Sequence, residues 1–197
     1  MTDLHAMPVL CELPVFYATT EGQTRRIAEA LATKLRERGF DSRAIDLAGP
    51  EARWFNWSRT RAAVVGASLH IQHHQRTAAR FVRQHAVELN QHPSAFFSVS
   101  LSTASQHSTE QLAAREIAEG FPAALGWRPN AVVCLAGRLA YTHYGVLTRF
   151  VMKRIARHEG APTDTSRDYE FTNWEDVAAL AQRMAAMLGA STAKVVA

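Results

Sequence analysis

The sequence predicts an α/β fold, a doubly wound five-stranded parallel sheet with helices on both faces, in a single domain spanning residues 1–197. Three observations predict it. Short apolar runs alternate along the chain with segments of helical periodicity. The runs are continuously apolar rather than alternating polar and apolar, the pattern of strands covered on both faces. And 197 residues, at about 150 per domain, make one domain long enough to bury a full core. A composition of 47% hydrophobic and 20% charged residues excludes a disordered, collagen-like or disulfide-scaffold chain.

The five runs are residues 14–18, 42–47, 62–68, 95–101 and 131–136, each closed by turn or helix-start residues. Pro14 lacks an N–H and is tolerated as the first residue of its strand. After it, Ile27, Leu31 and Leu35, with Ala28 and Ala32 beside them, form one helical stripe, and Gly39 follows where a C-cap belongs. The connection 48–60 carries Trp54, Phe55 and Trp57 and reads as a short irregular helix. A second stripe is Ala78, Phe81, Val82, His85 and Leu89; a third, between Glu110 and Phe121, is weaker; a fourth is Leu147, Phe150, Val151 and Ile155. A fifth helix is expected after Thr172, with Glu175 closing a capping box, running through Val177, Leu180, Ala181, Met184 and Leu188. The first ten residues or so are expected to be disordered.

No apolar stretch approaches the roughly 18 residues of a membrane-spanning helix, and the opening residues lack the basic and apolar regions of a signal peptide. The expected compartment is cytoplasmic. Cys11 and Cys134 lie in apolar runs and read as reduced core thiols. The formal net charge is only +4, but it is unevenly spread. Between Ala52 and Val87 there are six arginines (Arg53, Arg59, Arg61, Arg76, Arg80, Arg83) and no acid, and between Gly120 and His158 six cations and no acid. This asymmetry points to an anionic partner: a phosphate-bearing cofactor, a carboxylate-bearing substrate or an anionic membrane surface. No nucleic-acid partner is expected, because no binding motif is present and the aromatics are not interleaved with the cations.

In a doubly wound sheet ligands bind at the carboxyl ends of the strands, near the switch in strand order. The first such turn reads Thr19-Thr20-Glu21-Gly22-Gln23-Thr24 and runs straight into a helix. Hydroxyls, a glycine that admits close backbone approach and a helix N-terminus with unpaired N–H groups together make a cradle for a dianion. Neither a P-loop nor a G-x-G-x-x-G fingerprint is present, so a monophosphate suits it better than a pyrophosphate. His70, His73 and His74 would gather on one side of a helix, but no Cys, Asp or Glu nearby completes a metal site. They read as loop residues, and no metal is predicted. No Ser or Cys sits in a G-x-S-x-G elbow.

The T-x-x-G-x-T turn resembles the FMN phosphate loop of the flavodoxin-like superfamily. Further segments resemble the bacterial quinone-dependent protoporphyrinogen dehydrogenase family: Gly66-Ala67-Ser68; Pro93-Ser94-Ala95-Phe96-Phe97-Ser98-Val99; Trp127-Arg128-Pro129; Ala136-Gly137-Arg138-Leu139-Ala140-Tyr141; and Thr172-Asn173-Trp174-Glu175-Asp176-Val177. They cover most of the chain in order. The resemblance implies a flavodoxin-like fold and an FMN-dependent oxidoreductase of heme biosynthesis, taking electrons from protoporphyrinogen IX and passing them to a quinone. Thr19, Thr20, Glu21, Gly22, Gln23 and Thr24 would hold the FMN phosphate; Ser68, Leu69, His70 and Ile71 would form the second flavin loop; Ser100, Leu101 and Ser102 would flank the isoalloxazine and open a long connection. That connection is often basic in the family; here residues 102–108 hold no Lys or Arg. The flavin would do the redox step, so no side-chain catalyst is required. Arg138 and Tyr141 would meet the tetrapyrrole, Arg138 through its propionates.

Arg149, Lys153 and Arg157 recur opposite the fourth stripe. Because the sheet claims the apolar face, they would give at most weak peripheral contact with an anionic leaflet, on the cytoplasmic face of the inner membrane. Other functions on this fold are a flavodoxin-like electron carrier, which the basic charge disfavours, an NAD(P)H:quinone reductase and a flavin-free binding domain.

Overall fold

A computed structural model describes residues 11–139, 141–143 and 164–193 of the chain. The predicted fourth helix, with Arg149, Lys153 and Arg157, and the first ten residues lie outside the described residues. The elements in order are β1 (Val15–Ala18), α1 (Gln23–Arg36), β2 (Ala44–Asp46), α2 (Pro50–Arg53), β3 (Ala63–His70), β4 (His73–His74), α3 (Arg76–Gln84), α4 (Ala86–Gln91), β5 (Ser94–Ser100), α5 (Ser108–Ala123), β6 (Ala131–Ala136), β7 (Arg138–Leu139), β8 (Tyr169–Glu170) and α6 (Trp174–Ala193). Single 3-10 turns lie at Trp57–Arg59, Ser102–Ala104 and Tyr141–His143.

Five parallel strands form the sheet in the order β2-β1-β3-β5-β6. From β1 the chain goes first to one side and then, at β3, to the other. The reversal opens a crevice at the carboxyl ends of β1 and β3, the switch point of a doubly wound sheet. Strand residues alternate between two cores. Val15 and Tyr17 face α1 and α6, where Ile27, Leu31, Leu35, Leu180 and Met184 are buried. Phe16 and Ala18 face α3 and α4, with Phe81, Val82, Phe96 and Trp127. Each fully buried Leu, Ile or Phe contributes about 1.5–3 kcal/mol of transfer energy, so both helical layers are held mainly by apolar contact. Gly66 pairs with Phe97 across β3 and β5, and the Phe97 ring occupies the space a Cβ on residue 66 would need.

Four expectations are corrected. The third strand does not stop at Ser68: it runs to His70, turns at Ile71-Gln72 and returns as β4, pairing Leu69 with His74 and His70 with His73. Both turn residues have positive φ, 46° and 63°, which suits the twist of a two-residue hairpin. The second stripe is two helices, because the backbone at His85 breaks from helical geometry at φ −116°, ψ 23°. The last helix is capped by Asn173, whose Oδ1 accepts the Glu175 N–H at 3.0 Å, and Thr172 is used elsewhere. Cys11 is exposed rather than in the core, and both it and Cys134 are free thiols.

Candidate active site

Helix α1 begins directly behind β1, and its first turn contains no acid. The positive end of its dipole and the N–H groups ahead of the first helical bond, Arg26 N–H to Gly22 O at 3.1 Å, are therefore uncompensated by the helix itself. Gly22 holds the turn at φ 87°, a conformation that glycine adopts without a Cβ clash. Its N–H donates to Thr19 Oγ1 at 2.9 Å, fixing the loop. Thr24 is 1% exposed, and its Oγ1 is buried with no hydrogen-bond partner among the described residues. A buried hydroxyl left unsatisfied costs about 1–3 kcal/mol. An anion accepting from that hydroxyl and from the helix amides would satisfy it, so the residues present fit a phosphate group.

Beyond this turn opens a cavity of about 470 Å³, within the range of roughly 300–1,000 Å³ usual for small-molecule sites. The structure brings together at its walls Thr19, Glu21, Gln23 and Thr24 from the first turn and Ser68, Leu69, His70 and Ile71 from the end of β3. Ser100, Leu101 and Ser102 come from the end of β5, and Arg138 from β7. Gly22 contributes backbone geometry rather than a wall. Thr20 is turned aside: its Oγ1 accepts from Gln75 Nε2 at 3.3 Å. Tyr141 does not reach the cavity. It is fully buried in a small apolar cluster with Leu139, Leu101, Tyr169 and Phe171, so its ring supports the wall from behind.

The β3–β4 hairpin is tied down on both sides. Gln75 Nε2 donates to Ser68 Oγ as well as to Thr20 Oγ1, which links the hairpin to the turn between β1 and α1, and His70 Nε2 lies 3.2 Å from Ser68 Oγ. His74 Nε2 lies 2.9 Å from Ser98 Oγ, with its ring against Phe121 and Phe96. Burial, reinforced by the nearby His70, pushes the His74 imidazole down to about 4, so it is neutral at pH 7. Ile71 caps the hairpin at 90% exposure, in a left-handed conformation that is unfavourable for a β-branched side chain. Such strain concentrates at ligand sites. No group of His, Cys, Asp and Glu able to hold a metal exists among the described residues.

The wall that sequence reasoning missed is α5, which contributes Glu110, Ala113, Ala114 and Ile117, together with Val99, Gly137 and Gln72. The adjacent Ala113 and Ala114 of the weak third stripe are small enough to leave room for a ligand, but in sequence they do not by themselves mark a cavity. The expected long connection after the fourth predicted strand is also corrected. Only residues 101–107, including one 3-10 turn, separate β5 from α5. Further along, β7 and β8 form a two-residue antiparallel ladder that pairs Arg138 with Glu170 and Leu139 with Tyr169. Arg138 Nη2 lies 3.3 Å from Asp168 Oδ2 in a partly buried ion pair, and a guanidinium has more donors than that single contact uses.

A family model described as Flavodoxin domain matches residues 14–166. Protoporphyrinogen IX dehydrogenase (quinone) of Escherichia coli strain K12 is 34% identical over 181 residues, 91% of this chain and 98% of that protein. The enzyme of the same name from Leishmania major is 28% identical over 174 residues, 88% of this chain and 74% of that one. Among solved structures, the rubredoxin oxygen:oxidoreductase of Desulfovibrio gigas superposes with a TM-score of 0.56 at 14% identity, covering 92% of this chain and 37% of that one. That likeness shows the shared fold.

Proposed function

The chain belongs to the flavodoxin domain family, and from that premise we propose that it is an FMN-dependent dehydrogenase that oxidises protoporphyrinogen IX to protoporphyrin IX and delivers the electrons to a quinone. The activity follows the curated relatives, which match over nearly their full length. The observation that carries the cofactor is the Thr24 hydroxyl, buried and unpartnered at an acid-free helix N-terminus. In this reading Thr24 Oγ1 and the amides of Gln23, Thr24 and Arg25 hold the FMN phosphate. Ser68 to Ile71 and Ser100 to Ser102 bound the flavin on two sides. When bound, FMN supplies reversible two-electron redox chemistry. The protein's own task is to orient the partners and exclude water. Val99, Ala114 and Ile117 form an apolar wall that does the second, and Arg138 meets a propionate carboxylate of the tetrapyrrole. The porphyrinogen gives up electron pairs and protons, and the quinone, reduced to quinol, takes up the same pairs with protons.

The proposal extends to weak, salt-sensitive contact with the anionic cytoplasmic face of the inner membrane. No helix among the described residues is long and apolar enough to cross a bilayer. What supports surface contact is the exposed row Arg76, Arg80 and Arg83 on α3, within the acid-free stretch and opposite the buried Ala78, Phe81 and Val82.

Anaerobic flavin reduction tests the function. The protein is reconstituted with FMN and offered protoporphyrinogen IX, NADH and NADPH separately, and the yellow absorption band is followed. Bleaching by protoporphyrinogen alone, with colour restored by a quinone, is expected. Bleaching by a nicotinamide alone would replace this proposal with a nicotinamide-dependent quinone reductase.

A further inference from the structure

Gln23 lines the cavity as the first residue of α1, yet its side-chain amide is engaged away from it. Nε2 donates to Glu170 Oε1 at 3.0 Å and to Thr172 Oγ1 at 2.8 Å. Oε1 accepts from Arg26 Nη1 at 3.2 Å, and the same guanidinium nitrogen lies 3.2 Å from Glu170 Oε2. Thr172 Oγ1 donates in turn to the Ala136 carbonyl at 2.8 Å, at the end of β6. A closed set of side-chain bonds thus joins the phosphate-turn helix, β8 and the sheet, between residues 147 positions apart.

Two features make this set more than a surface contact. A two-residue ladder cannot hold its own place, since even a longer isolated hairpin is marginal in water; what fixes β7–β8 must come from side chains. And a carboxylate one side chain away from an anion cradle works against anion binding, so its presence calls for an offsetting role. The register supplies one. Glu170 sits directly across from Arg138, the one cation among the described residues that line the cavity.

We propose that Glu170 is a positioning residue. Held by Gln23 and Arg26, its carboxylate seats the β7–β8 pair against the head of α1 and so sets where the Arg138 guanidinium meets a substrate carboxylate. The phosphate turn and the substrate cation are thereby parts of one braced unit. This inference rests on the reading of Arg138 as the propionate contact and assigns what holds it in place.

The test compares Glu170→Ala with Arg138→Ala in the full chain by two readouts. One is amide hydrogen exchange over residues 137–139, with and without FMN; the other is KM for protoporphyrinogen IX. In Glu170→Ala, exchange over 137–139 rises and KM rises about fivefold to tenfold, the scale of one lost positioning contact, with the change falling on KM more than on kcat. FMN binds as tightly as before or more so, because a like charge has left its surroundings. A merely destabilised fold would weaken FMN binding instead. Combining Gln23→Leu with Glu170→Ala adds little to KM beyond the larger single effect, since both remove one brace. Should Glu170→Ala fail to fold, Thr172→Val removes the second arm of the brace and is read in the same way. A raised KM in Arg138→Ala alongside unaltered KM and exchange in Glu170→Ala overturns the brace and leaves the substrate contact standing. An unaltered KM in Arg138→Ala overturns the contact, and with it the purpose assigned to Glu170.

Discussion

Replacing Thr24 by valine exchanges a hydroxyl for a methyl of nearly the same shape, at a side chain 1% exposed. The cofactor-free protein and the complex should respond with opposite signs. In the free protein the Oγ1 has no partner, so removing it lifts a penalty of about 1–3 kcal/mol. At about 2–4 °C per kcal/mol for a chain of this size, the apoprotein should melt at least as high as the wild type, and by a few degrees higher if the hydroxyl is dry. In the complex, the same change deletes a hydrogen bond to a charged group, worth about 1.5–3 kcal/mol, which weakens FMN about tenfold to a hundredfold. Thr24→Ser keeps the hydroxyl and should bind FMN nearly as the wild type does. Quenching of flavin fluorescence on titration gives the affinity, and circular dichroism melts of the apoprotein give the stability. A Thr24→Val protein that binds FMN within about twofold of the wild type refutes the assignment of this turn as the phosphate site.

Two further outcomes follow from the packing and from the buried histidine. Gly66→Ala drives a Cβ into the fully buried Phe97 ring and should cost about 1–3 kcal/mol through overpacking, read as a lower urea midpoint; a midpoint equal to the wild type would mean that β3 and β5 can separate freely. His74 titrates near 4 in the folded protein against 6.5 unfolded. Above pH 6.5 neither state carries the proton; as pH falls from about 6.5 to about 4 the unfolded chain takes it first, so stability is lost by about 3 kcal/mol across that window. Burial shifts His85 and His92 in the same direction, so the contribution of His74 is the difference in slope between the wild type and His74→Gln in urea melts from pH 7.5 to pH 4.5. Parallel slopes would place that imidazole in contact with water.

The parallel sheet and its covering helices were legible because burial on both faces writes itself as apolar runs, and α1 because Ile27, Leu31 and Leu35 repeat at helical spacing ahead of Gly39. The turn after β1 could be read as a candidate anion cradle for a different reason: its residue types and spacing are local, carried by neighbours in sequence. What escaped reading is what depends on partners distant in the chain. A hairpin turning at Ile71-Gln72 offers neither the glycine nor the asparagine that usually marks it, and ladders of two residues are too short to have a period. Thr172 looked like a helix cap by type and spacing, but Ala136 and Gln23 lie within its reach, and Asn173 takes the cap. The α5 wall was hidden because alanines facing a cavity and alanines facing solvent look alike in sequence. Tyr141, placed with Arg138 at the substrate by the family resemblance, turns into its own cluster, since neighbouring ladder and turn residues point to different sides.

The β7–β8 ladder also bears on how such a fold can be remodelled. Leu139 and Tyr169 face each other on one antiparallel rung, so these two chain positions stand only about 5 Å apart. A tight Asn-Gly link spans a gap of that size, and a foreign segment of any length could be joined at the same two points. Natural variation of this kind would let one cofactor platform acquire new clientele by exchanging a module rather than rebuilding its centre.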